Sequence, residues 1–273
     1  MGTELAKKLV EEHDLTVWNR TFEKTQPLVD LGATAAETPK EAVEGAELVI
    51  TSLFGPDTVR EVVIAPNLIP EGVTWADATT ISPQDADEFA SQVEHFVHTP
   101  VVGSLGPARE SKLGVYVGGG SHKRRQAVAD VVAPWAAQNP ERLKVVDTAA
   151  QAATGKLLAN LALAVTIQGF KEALHLGGAQ GLNEQQVVEM LKSTGLEFIV
   201  NMKAPFLLGE RDTAPGDFSV DAIAKDARLM LSTADADGKD LPAVRAALDS
   251  LEGQQDQGRG DEDFSSVVVY RNN

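Results

Sequence analysis

The sequence predicts an α/β doubly wound domain of the nucleotide-binding type, then a long interdomain helix and an all-α C-terminal domain. Three observations carry this. Short stretches rich in Val, Ile and Thr alternate with helix-forming ones through residues 1–147. The strand-like stretches stop after Asp147. From Thr148 to about Gly181 the chain is rich in Ala and Leu and polar only at intervals, a pattern that makes a helix on the order of 45 Å long at 1.5 Å per residue.

Each element has its own signal. The strands read LTVW (15–18), ELVITSL (47–53), VTWADAT (73–79), HFVHT (95–99), LGVYVGG (113–119) and LKVV (143–146), bounded by Gly or Pro. Between them, Thr38-Pro39-Lys40-Glu41 reads as a capping box with proline at the first helical position, and Ser82-Pro83 starts the next helix in the same way. Strands and helices alternating at these lengths indicate a parallel sheet. In the C-terminal half, NEQQVVEMLKS, FSVDAIAKDARLMLSTADADG and PAVRAALDSLEG read as helices, separated by Gly195 and the Pro215-Gly216-Asp217 turn. The polar stretch EGQQDQGRGDED reads as a loop. The division expected is 1–147 and 148–273.

Composition narrows the function. With 24 Lys+Arg against 40 Asp+Glu, the formal charge is −16. Nucleic acid and anionic membrane surfaces require basic patches, so neither is an expected partner. The absence of cysteine excludes a disulfide framework, a thiolate nucleophile and Cys-ligated metal. His95 and His98 lack a supporting carboxylate motif, so no metal site is expected. The start shows no basic-then-apolar targeting pattern, and the apolar run LLANLALAV is too short for a bilayer. A cytoplasmic protein is expected.

The tip of the strand LTVW is informative. In dinucleotide-binding folds the tip of the second strand meets the adenosine ribose. An acidic residue there suits NAD, and a nearby arginine accommodates the 2′-phosphate of NADP. Here the tip is Asn19-Arg20-Thr21, with no carboxylate before Glu23. The expected cofactor is NADP rather than NAD, although a polar turn after a strand has the same composition. The phosphate-binding turn Gly-x-Gly-x-x-Gly needs two glycines ahead of Gly2. Gly2 fits the last of the three, with Leu5, Ala6, Leu9 and Val10 as the apolar face of the following helix.

At these residues the chain resembles the β-hydroxyacid dehydrogenases. The family includes 3-hydroxyisobutyrate dehydrogenase and the glyoxylate/succinic semialdehyde reductases, relatives of 6-phosphogluconate dehydrogenase. After MGTELAKKL…LTVWNRT the resemblance continues through EAVEGAELVITSL, WADATTISP, TPVVGSLGPARESKLGVYVGG, TGKLLANLALAVTIQGFKEAL, FSVDAIAKDARLML and GDEDFSSVV, in order over essentially the whole chain. It implies a Rossmann-type first domain and nicotinamide-dependent interconversion of a small β-hydroxy acid with its carbonyl form. The family opens with a strand and the glycine turn, so by this resemblance the chain is truncated before that turn and lacks the first strand.

The resemblance also assigns roles. Lys156, in TGKLLAN, matches the catalytic lysine, and a lysine desolvated among apolar neighbours can serve as general acid and base. Asn160 follows one turn along the same helical face. Thr80, on the loop after a strand, matches a position beside nicotinamide and substrate. Leu53 matches a position that packs on the cofactor and fits a core residue equally well. Lys225-Asp226 matches a pair near the carboxamide end of the cofactor, or reads as a surface charge pair on an amphipathic helix. A homodimer or homotetramer built through the helical domain is implied.

Three departures are visible. The family's substrate loop, Pro-Val-Ser-Gly-Gly, is here Pro100-Val101-Val102-Gly103-Ser104. Valine donates no hydrogen bond, so carboxylate recognition falls to Ser104, Gly103 or backbone amides. Ala150 and Ala152 replace a Gly-x-Gly ahead of the lysine, and the phosphate turn is absent. These leave two other readings open: a dinucleotide-binding or assembly module of the same fold with impaired turnover, and an imine-reductase-like enzyme. Lys156 counts against the last.

Overall fold

The computed structural model describes residues 1–269 and divides into two compact units, Met1–Lys156 and a second beginning at Leu157.

In the first unit, α1 (Gly2–Lys7), β1 (Thr16–Val17), α2 (Gln26–Val29), β2 (Thr34–Ala35), α3 (Pro39–Val43), β3 (Leu48–Thr51) and α4 (Pro56–Val59) come first. Then follow β4 (Thr74–Asp77), α5 (Pro83–Gln92), β5 (Phe96–His98), β6 (Val101–Val102), α6 (Leu105–Arg109), β7 (Gly114–Val117), α7 (His122–Val132) and β8 (Leu143–Val145). Strands β1 and β2 pair in parallel, as do β3, β4 and β5, and β7 with β8. Among the described residues no ladder joins β1 to β3.

The expectation of a parallel sheet holds except at one seam. β6 runs antiparallel to β7, and His98 bridges Gly118 in the same sense, with backbone N–H···O distances of 2.8 and 3.0 Å. The link from β6 to β7 is short: Gly103 to Leu113 folds back through α6, less than the roughly dozen residues that a crossover onto a parallel neighbour takes. Two strands that the sequence reading passed over, β2 and β6, are two residues long, below the length at which alternation registers.

Alternation along the strands shows why the sheet is covered on both faces. Trp75 and Phe96 enter one core with Val59, Ile81 and Phe89, while Ala76 and Val97 enter the other with Leu5, Leu9, Val115 and Trp135. Strands buried on both faces are the mark of a doubly wound layer. Capping is formed as expected at Ser82, where the side chain and Asp85 exchange bonds. At Thr38 only half of the box forms. Its hydroxyl accepts from Glu41 N–H at 3.2 Å, but the Glu41 carboxylate accepts from Glu37 N–H rather than from Thr38.

Helix α8 (Ala149–Ala179) is 31 residues long. It is long and apolar enough to cross a membrane by those two measures, a correction to the shorter run read from sequence. Yet Ala149 and Ala153 belong to a core of the first unit, and Ala164, Ile167 and Phe170 to that of the second, which is how a core helix of a globular protein behaves.

The second unit continues with α9 (Glu184–Leu191), α10 (Glu197–Leu207), α11 (Val220–Ala236) and α12 (Pro242–Gln255). α10 was not picked out in the sequence, where Pro205 interrupts its pattern. α12 extends through the EGQQ residues read as loop, and α11 starts two residues later than expected, capped by Ser219. Its floor is a buried ion pair. Lys203 Nζ lies 2.7 Å from Asp263 Oδ1, with Phe264 4.0 Å beneath the ammonium.

Candidate active site

In the first unit, the carboxyl ends of β3 and β4 are tied together by a buried hydroxyl network. Asp77, fully buried, accepts from the Thr51 hydroxyl at 2.7 Å and from Thr79 N–H at 3.2 Å. Thr51 in turn accepts from the Trp75 indole at 2.8 Å, and Thr79 Oγ1 accepts from Leu53 N–H at 2.9 Å. The network fixes the two segments that carry Leu53 and Thr80. Leu53 is partly buried against the Trp75 core, so its core reading is met, and Thr80 is half-buried. Thr79 was overlooked in the sequence because its neighbour Thr80 carried the motif, and its role rests on contacts between strands that spacing does not reveal.

Gly2 opens α1 beside the end of β3, where a Cβ on it would stand 3.4 Å from the Ser52 Cβ. After β1, Asn19 folds over its own turn, its amide donating to Thr21 O at 2.9 Å, while Arg20 and Thr21 are exposed. The donor set at this tip is an amide, a guanidinium and a hydroxyl.

The substrate loop is shaped by its glycines. Gly103 has φ +139°, and a Cβ there would lie 2.7 Å from Leu113. Ser104 precedes α6 without capping it through its side chain, which leaves the hydroxyl uncommitted to the helix. Val102 pairs with Gly114 across the β6–β7 ladder and is half-buried.

The start of α8 is placed by close backbone approach. A Cβ on Gly118 would meet Thr148 O at 2.2 Å, so the turn after β7 lies directly on the helix entry. The Gly118–Gly120 stretch is a tight turn with positive φ at Gly119 and Gly120. Arg125 holds that turn through the carbonyls of Gly119 and Gly120 and reaches Asp147 at 3.5 Å. Two turns into α8, Lys156 is buried, at 8% exposure. It is not a snorkelling lysine.

In the second unit, Asn160 is 2% exposed, and its amide donates to Asp226 Oδ2 at 2.5 Å. Lys225 Nζ donates to Asp226 Oδ1, also at 2.5 Å. One buried carboxylate therefore joins two residues that sequence reading had placed in separate roles. Asp226 shares the inward face of α11 with Ile223, Ala227 and Met230, so the surface-pair reading of Lys225-Asp226 does not hold.

Comparison with known proteins agrees with this architecture. Residues 1–150 match the family model described as the NAD binding domain of 6-phosphogluconate dehydrogenase. Residues 150–270 match the one described as the NAD-binding region of NADP-dependent 3-hydroxyisobutyrate dehydrogenase. An uncharacterized oxidoreductase of Shewanella frigidimarina is 29% identical, over 98% of this chain and 94% of its own length. Glyoxylate/succinic semialdehyde reductase 2 of Arabidopsis thaliana is 26% identical, over 98% of this chain and 76% of its own. Among solved structures, 3-hydroxyisobutyrate dehydrogenase of Mycobacterium tuberculosis, determined with L-serine, superposes with a TM-score of 0.84. It is 24% identical, over 98% of this chain and 94% of the other.

Proposed function

Since the chain belongs to the β-hydroxyacid dehydrogenase family and is an oxidoreductase acting on CH–OH groups with a nicotinamide dinucleotide, we propose that it is an NADP-dependent reductase of small aldehyde-acids, or dehydrogenase of the matching β-hydroxy acids, with Lys156 as general acid/base. The observation that carries this reading is the buried lysine in the early turns of α8, one helical turn before buried Asn160.

The residues present suit the cofactor. Asn19, Arg20 and Thr21 supply donors and a cation with no carboxylate among them, the chemistry that favours a 2′-phosphate over a bare ribose. Gly2, Leu53, Thr80 and Lys225 are the other positions proposed to hold it. When bound, the nicotinamide supplies or accepts the hydride. The protein then manages a single proton. In reduction, the Lys156 ammonium donates to the carbonyl oxygen as the alkoxide develops; in oxidation, the neutral amine removes the hydroxyl proton. Asn160 and Thr80 orient the substrate oxygens, and Gly103 and Ser104 face its carboxylate. Exposed Leu158 and Leu176 on α8 support a homodimer or homotetramer, because large apolar side chains on a core helix favour burial.

Calorimetric titration with NADPH and NADH tests the cofactor assignment. Micromolar NADPH binding, with NADH at least tenfold weaker, is expected. Equal affinities, or a preference for NADH, would overturn the role of Asn19-Arg20-Thr21.

A further inference from the structure

The substrate loop lacks a side-chain donor at Val102, yet the structure lays a phenol ring against the helix turn that carries Lys156. Tyr116 sits in β7 between Val115 and Val117, both fully buried, and its own side chain is half-buried on the opposite face of the strand. Its backbone N–H donates to Pro100 O at 3.1 Å, which locks it to the first residue of the substrate loop. Its ring lies flat on α8 at Gly155. A Cβ built on Gly155 would be 2.6 Å from Cζ and 2.7 and 2.9 Å from the two Cε atoms.

These contacts are made by the hydroxyl-bearing end of the ring. The phenol therefore reaches over the residue immediately before Lys156, and only glycine leaves it room. Its hydroxyl makes no hydrogen bond to another described residue. One residue thus touches the substrate loop through its backbone and, through its ring, the turn of helix that carries Lys156.

We propose that Tyr116 is a substrate-binding residue, whose phenol donates to the substrate carboxylate the hydrogen bond that Val102 cannot make. This rests on the reading of Lys156 as the catalytic group. A phenol O–H is a good hydrogen-bond donor to a carboxylate.

The test compares the whole chain with Tyr116→Phe, using succinic semialdehyde and, as the control without a carboxylate, butanal. Loss of a hydrogen bond to a charged group predicts a rise of about 10- to 100-fold in KM for the aldehyde-acid. With kcat within about threefold, butanal kinetics unchanged and NADPH affinity unchanged, the effect is confined to the carboxylate. A change shared by both aldehydes, or wild-type KM for both, overturns the proposal. A second readout separates it from the proposed function. The chain has two tyrosines, Tyr116 and Tyr270, so 3-fluorotyrosine labelling gives two 19F resonances that the variant assigns. If the enzyme turns over neither aldehyde but 3-hydroxypropanoate shifts the Tyr116 resonance, the binding role stands and the reaction assigned is wrong. If turnover is present and that resonance does not move, the inference about Tyr116 alone fails.

Discussion

At Gly155 a single hydrogen atom decides what the neighbouring side chain can do. Alanine in a helix interior is worth about 1 kcal/mol over glycine, so Gly155→Ala ought to stabilise α8. The Tyr116 ring stands where the methyl would go, and overpacking costs about 1–3 kcal/mol. The clash outweighs the propensity gain. Gly155→Ala is expected to lower stability by about 1 kcal/mol by urea denaturation, and Tyr116→Leu in the same chain to restore it. Higher stability in the single variant would show that the ring moves aside freely. The residue scale is also where the sequence was most readable. Lys156 and Asn160 stand four apart in an apolar helix, and a polar pair at helical spacing is visible without a structure. Tyr116 was hidden, because its importance comes from a partner 39 positions away, and so was the bond that joins Asp226 to Asn160 across 66 positions.

Two elements carry the placement of the site. The tips of β3 and β4 are joined through Thr79, whose hydroxyl is the acceptor for Leu53 N–H. Thr79→Val keeps the shape and removes the acceptor, at about 1–3 kcal/mol for a polar group left unpaired. Weaker NADPH binding is expected, with Thr79→Ser recovering it. Unchanged cofactor affinity in Thr79→Val, measured by calorimetry, would mean that the tips hold their geometry without this bond. Helix α8 presents Leu158 and Leu176, 61% and 71% exposed. The double change to Glu is expected to give a monomer by light scattering where the parent chain associates; an unaltered mass would assign the assembly to another face. The long helices and the longer strands were legible because their periodicity runs over many residues. Where the reading fell short, at the antiparallel seam of β6 and β7 and in α10, the decisive facts were a two-residue strand and a helix containing Pro205.

For the whole molecule, stability and chemistry place different demands on buried lysines. Lys203 is closed in by Phe206, Phe264 and Asp263, and desolvation pushes its pKa below the ordinary lysine value despite the carboxylate. The folded state then holds this proton less tightly than the unfolded chain does. Below the folded value both states are protonated and this group adds no pH dependence. As pH rises through that value toward the unfolded one, stability increases. Replacing Lys203 by Met leaves Asp263 buried without its cation, which costs about 3–5 kcal/mol. A large fall in midpoint by denaturant titration at neutral pH is expected, and a midpoint equal to that of the parent chain would show that the pair contributes little. Lys156, by contrast, is buried two turns into α8.

The most direct measurement is the rate of NADPH oxidation with succinic semialdehyde by the whole chain and by Lys156→Ala. General acid catalysis predicts turnover by the first and a loss of about 10²- to 10⁴-fold in the second, with NADPH affinity preserved. A Lys156→Ala enzyme that works at the parent rate would contradict the assignment of the proton to this residue.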